Sequence, residues 1–130
     1  MAAQEPIFET NLEGLTSHRR GKVRDMYEVD SDHLLMVATD RISAYDLVLG
    51  SAIPDKGKVL TQLSSYWFEQ TTHLVPNHMV SIEPSEYPGS LGDHSAVLAG
   101  RSMLVKRTAP IMIECVARGY LSGSGWKEYQ

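Results

Sequence analysis

Helical periodicity is confined to one long stretch of this 130-residue chain, and this limits the folds open to it. From Lys58 to about His73, the residues that would form one face of a helix are three or four positions apart. They are Leu60, Leu63, Trp67, Thr71 and Leu74. The spacing predicts an amphipathic helix of about four turns, which ends before Pro76 because proline cannot continue a helix.

Short strands are predicted on either side of this helix. The polar turn Asp30–Asp32 separates Met26–Val29 from the continuous apolar run Leu34–Ala38, a pattern that predicts a hairpin with a buried second strand. Further strand-like segments are 47–49, 52–53, 79–82, 101–107 and 111–117. Several strands joined mostly by tight turns, with one long helix, predict an α+β fold, in which the helix packs on one face of a mostly antiparallel sheet.

Three segments are predicted to carry little regular structure. Residues 1–18 are polar with only short apolar groups, and we expect them to lie over the surface. Residues 39–46 leave the buried strand as a polar loop, and residues 83–100, which contain prolines and glycines, are expected to form a surface loop.

Charge and composition exclude several classes of protein. The net charge is −4 and the basic residues are scattered, so no nucleic-acid footprint is expected. Cys115 is the single cysteine, so no internal disulfide can form, and the five histidines lack metal-ligand spacing. The N-terminus does not resemble a signal peptide and no apolar run is long enough to span a bilayer, so we expect a cytoplasmic protein without a membrane partner.

The segment Gly21-Lys22-Val23-Arg24-Asp25 is a candidate phosphate site at the start of the predicted hairpin. Glycine permits a close backbone approach, and two cations at alternate positions of an extended segment point to the same side. Such a pair would suit the phosphates of a nucleotide. A solvated turn that carries surface charges remains the alternative at this point.

Two other polar segments are weaker candidates. Residues 40–46 place two carboxylates, a guanidinium and a hydroxyl directly after a buried strand, although Arg41 could instead pair with Asp46 for purely structural reasons. Residues 106–110 connect two predicted strands, and their backbone could contact the edge of a purine or simply form a turn.

The last candidate is the segment from Glu114 to Ser124. Glu114, Val116 and Arg118 would share one face of a strand that leads into a Ser-Gly-Ser-Gly turn and a helix start. An arginine fork and free backbone amides suit a phosphorylated ligand. A Glu114–Arg118 pair that only shapes the sheet is equally compatible with the pattern.

The order of these segments resembles the SAICAR synthetase family more than any one segment does. The resemblance covers about Arg20 to Gln130, with a gap over residues 83–100. The matching stretches are RGKVRDMYEV, VATDRISAYD, IPDKGKVLTQLS, LVKR and IECVARGYLSGS. It implies a kinase-like small ATP-binding lobe over residues 19–118, preceded by an extension (1–18) and followed by the start of a second domain (119–130).

The resemblance also implies an activity. The family joins the carboxylate of carboxyaminoimidazole ribonucleotide to the amine of L-aspartate, through an acyl phosphate made with ATP and Mg²⁺. Its ATP-binding positions match Gly21, Lys22, Val23 and Arg24. Its connector beside adenine, which resembles the hinge of protein kinases, matches Lys106, Arg107, Thr108 and Pro110. Its substrate-binding positions match Ser43, Asp46, Arg118 and Ser124.

The sequence departs from the family pattern in two small ways and one large way. Met112 stands where the family commonly has proline, and Ser122 replaces the usual threonine or alanine. The later motif Asp-x-Lys-Phe-Glu-Phe-Gly and the acidic magnesium ligands are not in the sequence, so we expect an N-terminal portion that is inactive alone. The alternative is a stand-alone nucleotide-binding module. A protein kinase lobe is disfavoured because the candidate loop has only Gly21.

Overall fold

The structure is a computed structural model that describes residues 5–113 and 115–130, with only the backbone of His18. The elements are strands β1 Thr16–Arg20, β2 Arg24–Glu28, β3 His33–Ala38, β4 Arg41–Ala44, β5 Leu47–Ala52, β6 Met79–Ser81 and β7 Ser102–Lys106. The helices are α1 Lys56–Gln70, α2 Ser95–Leu98 and α3 Ser124–Tyr129, with 3-10 turns at Pro84–Glu86 and Gly89–His94.

A five-stranded antiparallel sheet forms the body of the fold, in the order β1-β2-β3-β7-β6. The strands β4 and β5 form a separate antiparallel pair. One helix of 15 residues, α1, contacts β3 and β7. The α+β prediction is therefore confirmed.

The predicted hairpin is β2–β3, in which Met26 lies opposite Met36 and Tyr27 opposite Leu35. Its turn is closed by the carboxylate of Asp30, which accepts the amides of Asp32 (2.7 Å) and His33 (2.8 Å). The Asp32 amide and the His33 side chain lower the pKa of Asp30, because both favour the ionised carboxylate.

The two faces of the sheet are covered differently. Alternation along β3 places Leu35 and Val37 on one face and Leu34 and Met36 on the other. The first face belongs to a cluster of buried side chains: Leu12, Tyr27, Leu35, Val37, Tyr87, Leu91, Leu98 and Leu104. The second cluster is smaller, with Leu34, Met103 and Val105 buried and Phe68 of α1 packed against them. The second face is thus the one left open for a cavity.

Two segments expected at the surface contribute to the first cluster. Thr10 and Leu12, within the predicted N-terminal extension, are both only 3% exposed. Residues 83–100 fold into short helical turns that bury Tyr87 and Leu98, so the prediction of a surface loop there was wrong. Prolines and glycines indicate breaks in a chain, but they do not tell whether the apolar residues between them are buried.

Two strand predictions also need correction. Residues 41–44, expected in a loop, form β4 because they pair with β5. Residues 111–113 and 115–117, expected in a strand, have none, and Ile111 and Met112 are more than four-fifths exposed. Both edges of β7 are already paired with β3 and β6, so the next segment has no free edge beside it. The predicted pairing of Glu114 with Arg118 lies outside the described residues.

The helix α1 presents a different face to the sheet than its apolar spacing predicts. Leu60, Leu63 and Trp67 are about half exposed, whereas the buried residues are Gly57, Thr61 and Ser65. A Cβ atom on Gly57 would lie 2.2 Å from the carbonyl oxygen of Ala38. The helix approaches β3 so closely that only small side chains fit between them, and its larger side chains point elsewhere.

We predict that Gly57→Ala destabilises the fold by about 1–3 kcal/mol or more, because the added methyl group overlaps backbone that cannot move without shifting the sheet. Gly50→Ala is the matched control, since a Cβ there meets nothing within 4 Å. Urea unfolding of both variants measures the difference. Equal midpoints for the two variants would contradict the close helix approach.

Candidate functional site

The turn Gly21–Val23 has its carbonyl groups directed into the protein. The Gly21 carbonyl accepts Arg41 Nη2 at 2.9 Å, and the Lys22 carbonyl accepts Arg41 Nε at 3.0 Å. The Val23 carbonyl accepts the amide (3.0 Å) and hydroxyl (2.9 Å) of Thr39. Because N–H and C=O point in opposite directions across a trans peptide, the amides of Lys22 and Val23 point away from Arg41. Two neighbouring amides directed outward suit an anion.

Gly21 closes this turn with a short contact. Its amide donates to the carbonyl of Arg24 at 2.7 Å, and a Cβ on Gly21 would lie 3.3 Å from the same oxygen. The expected close backbone approach at glycine is therefore present within the turn itself. It brings β1 and β2 together directly behind the outward-facing amides.

A buried ion pair lies beneath the turn. Arg41 Nη2 donates to Asp25 Oδ1 at 2.9 Å, and the two side chains are 8% and 3% exposed. The other oxygen of Asp25 accepts the amide (2.7 Å) and hydroxyl (3.0 Å) of Thr10. Arg41 also donates to the Phe8 carbonyl, so the N-terminal segment closes over the pair. Arg41 therefore does form a structural ion pair, as the sequence allowed, but its partner is Asp25 and not Asp46.

A second buried pair joins Asp40 to Arg101 at 3.0 Å, with both side chains 1% exposed. Asp40 also accepts the amide of Ile7 at 2.8 Å and the amide of Gly57, at the start of α1, at 2.9 Å. Burial raises the pKa of Asp40, but the hydrogen bonds from Ile7, Arg101 and Gly57 outweigh it and hold that pKa below the usual value.

The structure brings together two predicted residues to which the family resemblance assigns different ligands, ATP for Lys22 and the substrate for Asp46. Lys22 Nζ donates to the Asp46 carboxylate, and both side chains are more than half exposed. The hydrogen bond and charge of Lys22 lower the pKa of Asp46. Asp46 and Tyr45 form the two-residue turn between β4 and β5, at φ 66° and 50°, and Ser43 lies in β4 opposite Val48. The hairpin tip thus reaches the glycine turn.

The cavity on the open face of the sheet begins beside this turn. Its volume is about 300 Å³, and Val23, Arg24, Met36 and Ala38 line it together with residues of α1. A second cavity of about 490 Å³ is lined by the connector residues Lys106 and Thr108. Phe68 and His78 line both cavities. Burial and then the charge of Arg24 lower the pKa of His78, so the shared wall favours a neutral imidazole.

The remaining predicted residues lie farther along the chain. In the connector, the Arg107 amide donates to the Asp32 carbonyl at 2.6 Å, and its side chain pairs with Glu28 at 3.1 Å. Pro110 is exposed. Arg118 donates to the Ser124 hydroxyl at 3.2 Å, so these two predicted substrate residues contact each other. The part of the chain that the structure describes holds no group of three or more histidine, cysteine or carboxylate residues suited to a metal ion.

The sequence indicated Asp25, Asp40 and Arg41 only as members of candidate segments. The two buried ion pairs beneath the turn, and the part that Arg101 plays in one of them, were not predicted. One signal was present in β2, where Asp25 occupies the same alternation as the buried Tyr27. A charged residue at a buried position of a strand requires a partner. The sequence does not indicate which arginine that partner is.

We predict that stability falls below about pH 4 in a manner that depends on Asp40. Its folded pKa lies below the ordinary aspartate value of 3.8, so its contribution is complete above that value and is lost as the pH falls through the folded pKa. Denaturant midpoints between pH 6 and pH 2 measure this loss. Asp40→Asn should flatten the profile, and an equally steep profile in that variant would assign the acid sensitivity to other groups.

Comparison with known proteins shows which family the chain belongs to. The sequence model of the family described as SAICAR synthetase matches residues 17–130. The phosphoribosylaminoimidazole-succinocarboxamide synthase of Thermodesulfovibrio yellowstonii is 56% identical over 124 residues, which are 95% of this chain and 42% of that protein. The chain therefore spans about two fifths of the length of the curated relatives it matches.

Solved structures agree with the sequence match. A SAICAR synthase is 46% identical, with a TM-score of 0.84 over 95% of this chain and 44% of that one. A SAICAR synthase from Saccharomyces cerevisiae, solved in complex with SAICAR, gives 46% identity and a TM-score of 0.83 over the same shares. Among the described residues, no helix is long and apolar enough to cross a membrane. By sequence and by fold, the chain belongs to the SAICAR synthetase family.

Proposed function

We propose that this chain is the ATP-binding lobe of an ATP-dependent ligase that makes SAICAR from carboxyaminoimidazole ribonucleotide and L-aspartate. Family membership and the names of the relatives support the reaction. The observation that carries the role of the lobe is the turn Gly21–Val23, whose carbonyls are bound from behind and whose amides face outward beside Lys22. Phosphate oxygens need such donors.

The chemistry explains why cations gather at this lobe. A carboxylate is a poor electrophile until one of its oxygens takes the γ-phosphoryl group of ATP, which leaves ADP. The amine of aspartate then attacks the acyl carbon, the C–O bond to phosphate breaks, and the amine proton is lost as the amide forms. A triphosphate and several carboxylates must therefore lie close together, and Lys22 and Arg24 offset part of that charge.

In this proposal the triphosphate lies on the glycine turn and the base occupies the apolar cavity beside it. Val23, Met36 and Ala38 provide the apolar surface for the purine. Lys106 and Thr108 line the neighbouring cavity. There the backbone of the connector Lys106, Arg107, Thr108 and Pro110 would meet the edge of the base. The two cavities adjoin at His78, which connects the sites assigned to the base.

The substrates are assigned to the hairpin tip and to the segment after the connector. Ser43 and Asp46 approach from the glycine-turn side, and Arg118 with Ser124 would bind the ribonucleotide phosphate. In this proposal, the carboxylates that would bind the Mg²⁺ of ATP lie in the later part of the family's sequence, which these 130 residues do not span. The exposed single cysteine fits a reducing, cytoplasmic setting.

We predict that Lys22→Ala weakens ATP binding roughly 10- to 100-fold, the usual cost of a lost charged hydrogen bond. The same variant should lower SAICAR formation in the encoded full-length protein. Lys127→Ala, on the exposed helix α3, is the control and should bind ATP as the wild type does. Isothermal titration with ATP and an assay of SAICAR formation measure both effects. Unchanged turnover in Lys22→Ala would remove the nucleotide role from this turn.

We also predict that Asp46→Asn strengthens ATP binding by up to about fivefold at low salt, because exposed ion pairs contribute only about 0.2–1 kcal/mol. In this variant, Lys22 does not have to give up its ion pair with Asp46 in order to bind a phosphate group. Asp55→Asn is the matched control, since Asp55 pairs with Lys58 instead. Titrations at two salt concentrations measure the change, and weaker ATP binding in Asp46→Asn would show that Asp46 does not compete for Lys22.

A further inference from the structure

We propose that Arg41 is the positioning residue of the glycine turn: its guanidinium fixes the turn so that the amides of Lys22 and Val23 face the bound polyphosphate. The inference rests on the proposed function for the identity of the ligand. Its geometric part, that Arg41 determines the conformation of the turn, stands on the hydrogen bonds alone.

The guanidinium of Arg41 uses all three of its nitrogens. The atom Nη2 donates to the Gly21 carbonyl and to Asp25, Nε donates to the Lys22 carbonyl, and Nη1 donates to the Phe8 carbonyl. These acceptors come from two separate segments of the chain, the N-terminal segment at Phe8 and residues 21–25. A planar fork can bind them together, whereas a lysine ammonium is a compact charge that cannot span them.

The direction of the peptide groups explains why the hydrogen bonds of Arg41 matter for phosphate binding. If the Gly21–Lys22 peptide rotated, its carbonyl oxygen would point towards an incoming phosphate and repel it. Arg41 prevents that rotation by holding the carbonyls of Gly21 and Lys22 on the protein side. Asp25 balances the buried charge of Arg41, so that charge is not presented to the ligand.

Arg41 does not itself lie where the phosphates would bind. Its side chain is 8% exposed and lies on the opposite side of the turn from the amides of Lys22 and Val23. It therefore acts through the turn and makes no contact with the ligand in this account. Lys22, which is exposed and paired with Asp46, is the group that would contact phosphate.

The test replaces Arg41 with lysine and measures the turn and the ligand separately. In Arg41→Lys we expect amide hydrogen exchange at Gly21 to accelerate at least tenfold while Leu35, which is fully buried in β3, keeps its protection. The dissociation constant for ATP should rise at least tenfold. The control Tyr87→Phe removes a buried hydrogen bond to Ser102 of β7, away from the glycine turn, and should change stability without changing either readout.

A second variant covers the case in which Arg41→Lys does not fold. The double variant Asp25→Asn/Arg41→Gln removes both buried charges together, so neither is left unpaired. The same acceleration at Gly21 and the same loss of ATP affinity are expected. Wild-type exchange at Gly21 in a folded variant would overturn the proposal, as would unchanged ATP affinity in a variant whose turn is loosened.

The two readouts also distinguish this inference from the proposed function. If the wild-type protein does not bind ATP, the proposed function fails, while exchange at Gly21 still decides whether Arg41 positions the turn. If ATP binds and Lys22→Ala weakens it, but Arg41→Lys alters neither readout, the proposed function stands and the positioning role is wrong.

Discussion

The buried pairs between carboxylates and guanidinium groups are the interactions on which the rest of this lobe depends. Asp25 pairs with Arg41 and Asp40 with Arg101, and all four side chains are at most 8% exposed. Removing such charges from water is costly, and the cost is offset only where every polar atom is also hydrogen-bonded. No buried side-chain nitrogen or oxygen among the described residues lacks a partner. The pairs therefore depend on the arrangement of the surrounding backbone that supplies these partners.

That arrangement links the fold to the candidate site. Through Asp40, one pair connects the N-terminal segment, the end of β3 and the first turn of α1, which forms a wall of the cavity beside the glycine turn. Through Arg41, the other pair connects the same N-terminal segment to the glycine turn. The wall of the cavity and the proposed phosphate site are thus set by two neighbouring ion pairs, Asp40 being followed in the chain by Arg41.

The sequence predicted the local features well and the long-range ones poorly. The β2–β3 hairpin, the helix α1 and the glycine turn follow from residues close together in the chain. The partners in the buried pairs are 16 and 61 residues apart, and periodicity does not encode such contacts. The face of α1 was assigned wrongly because Gly57 allows a closer approach than apolar side chains would. The strand expected at 111–117 has favourable residues but no adjacent edge to pair with.

A crystal structure of the encoded full-length protein with a non-hydrolysable ATP analogue would test the central claim most directly. The account predicts phosphate oxygens within hydrogen-bonding distance of the amides of Lys22 and Val23 and of the Lys22 ammonium, with Arg41 still bound to the carbonyls behind them. A triphosphate seated away from this turn, or a turn whose carbonyls face the ligand, would contradict it.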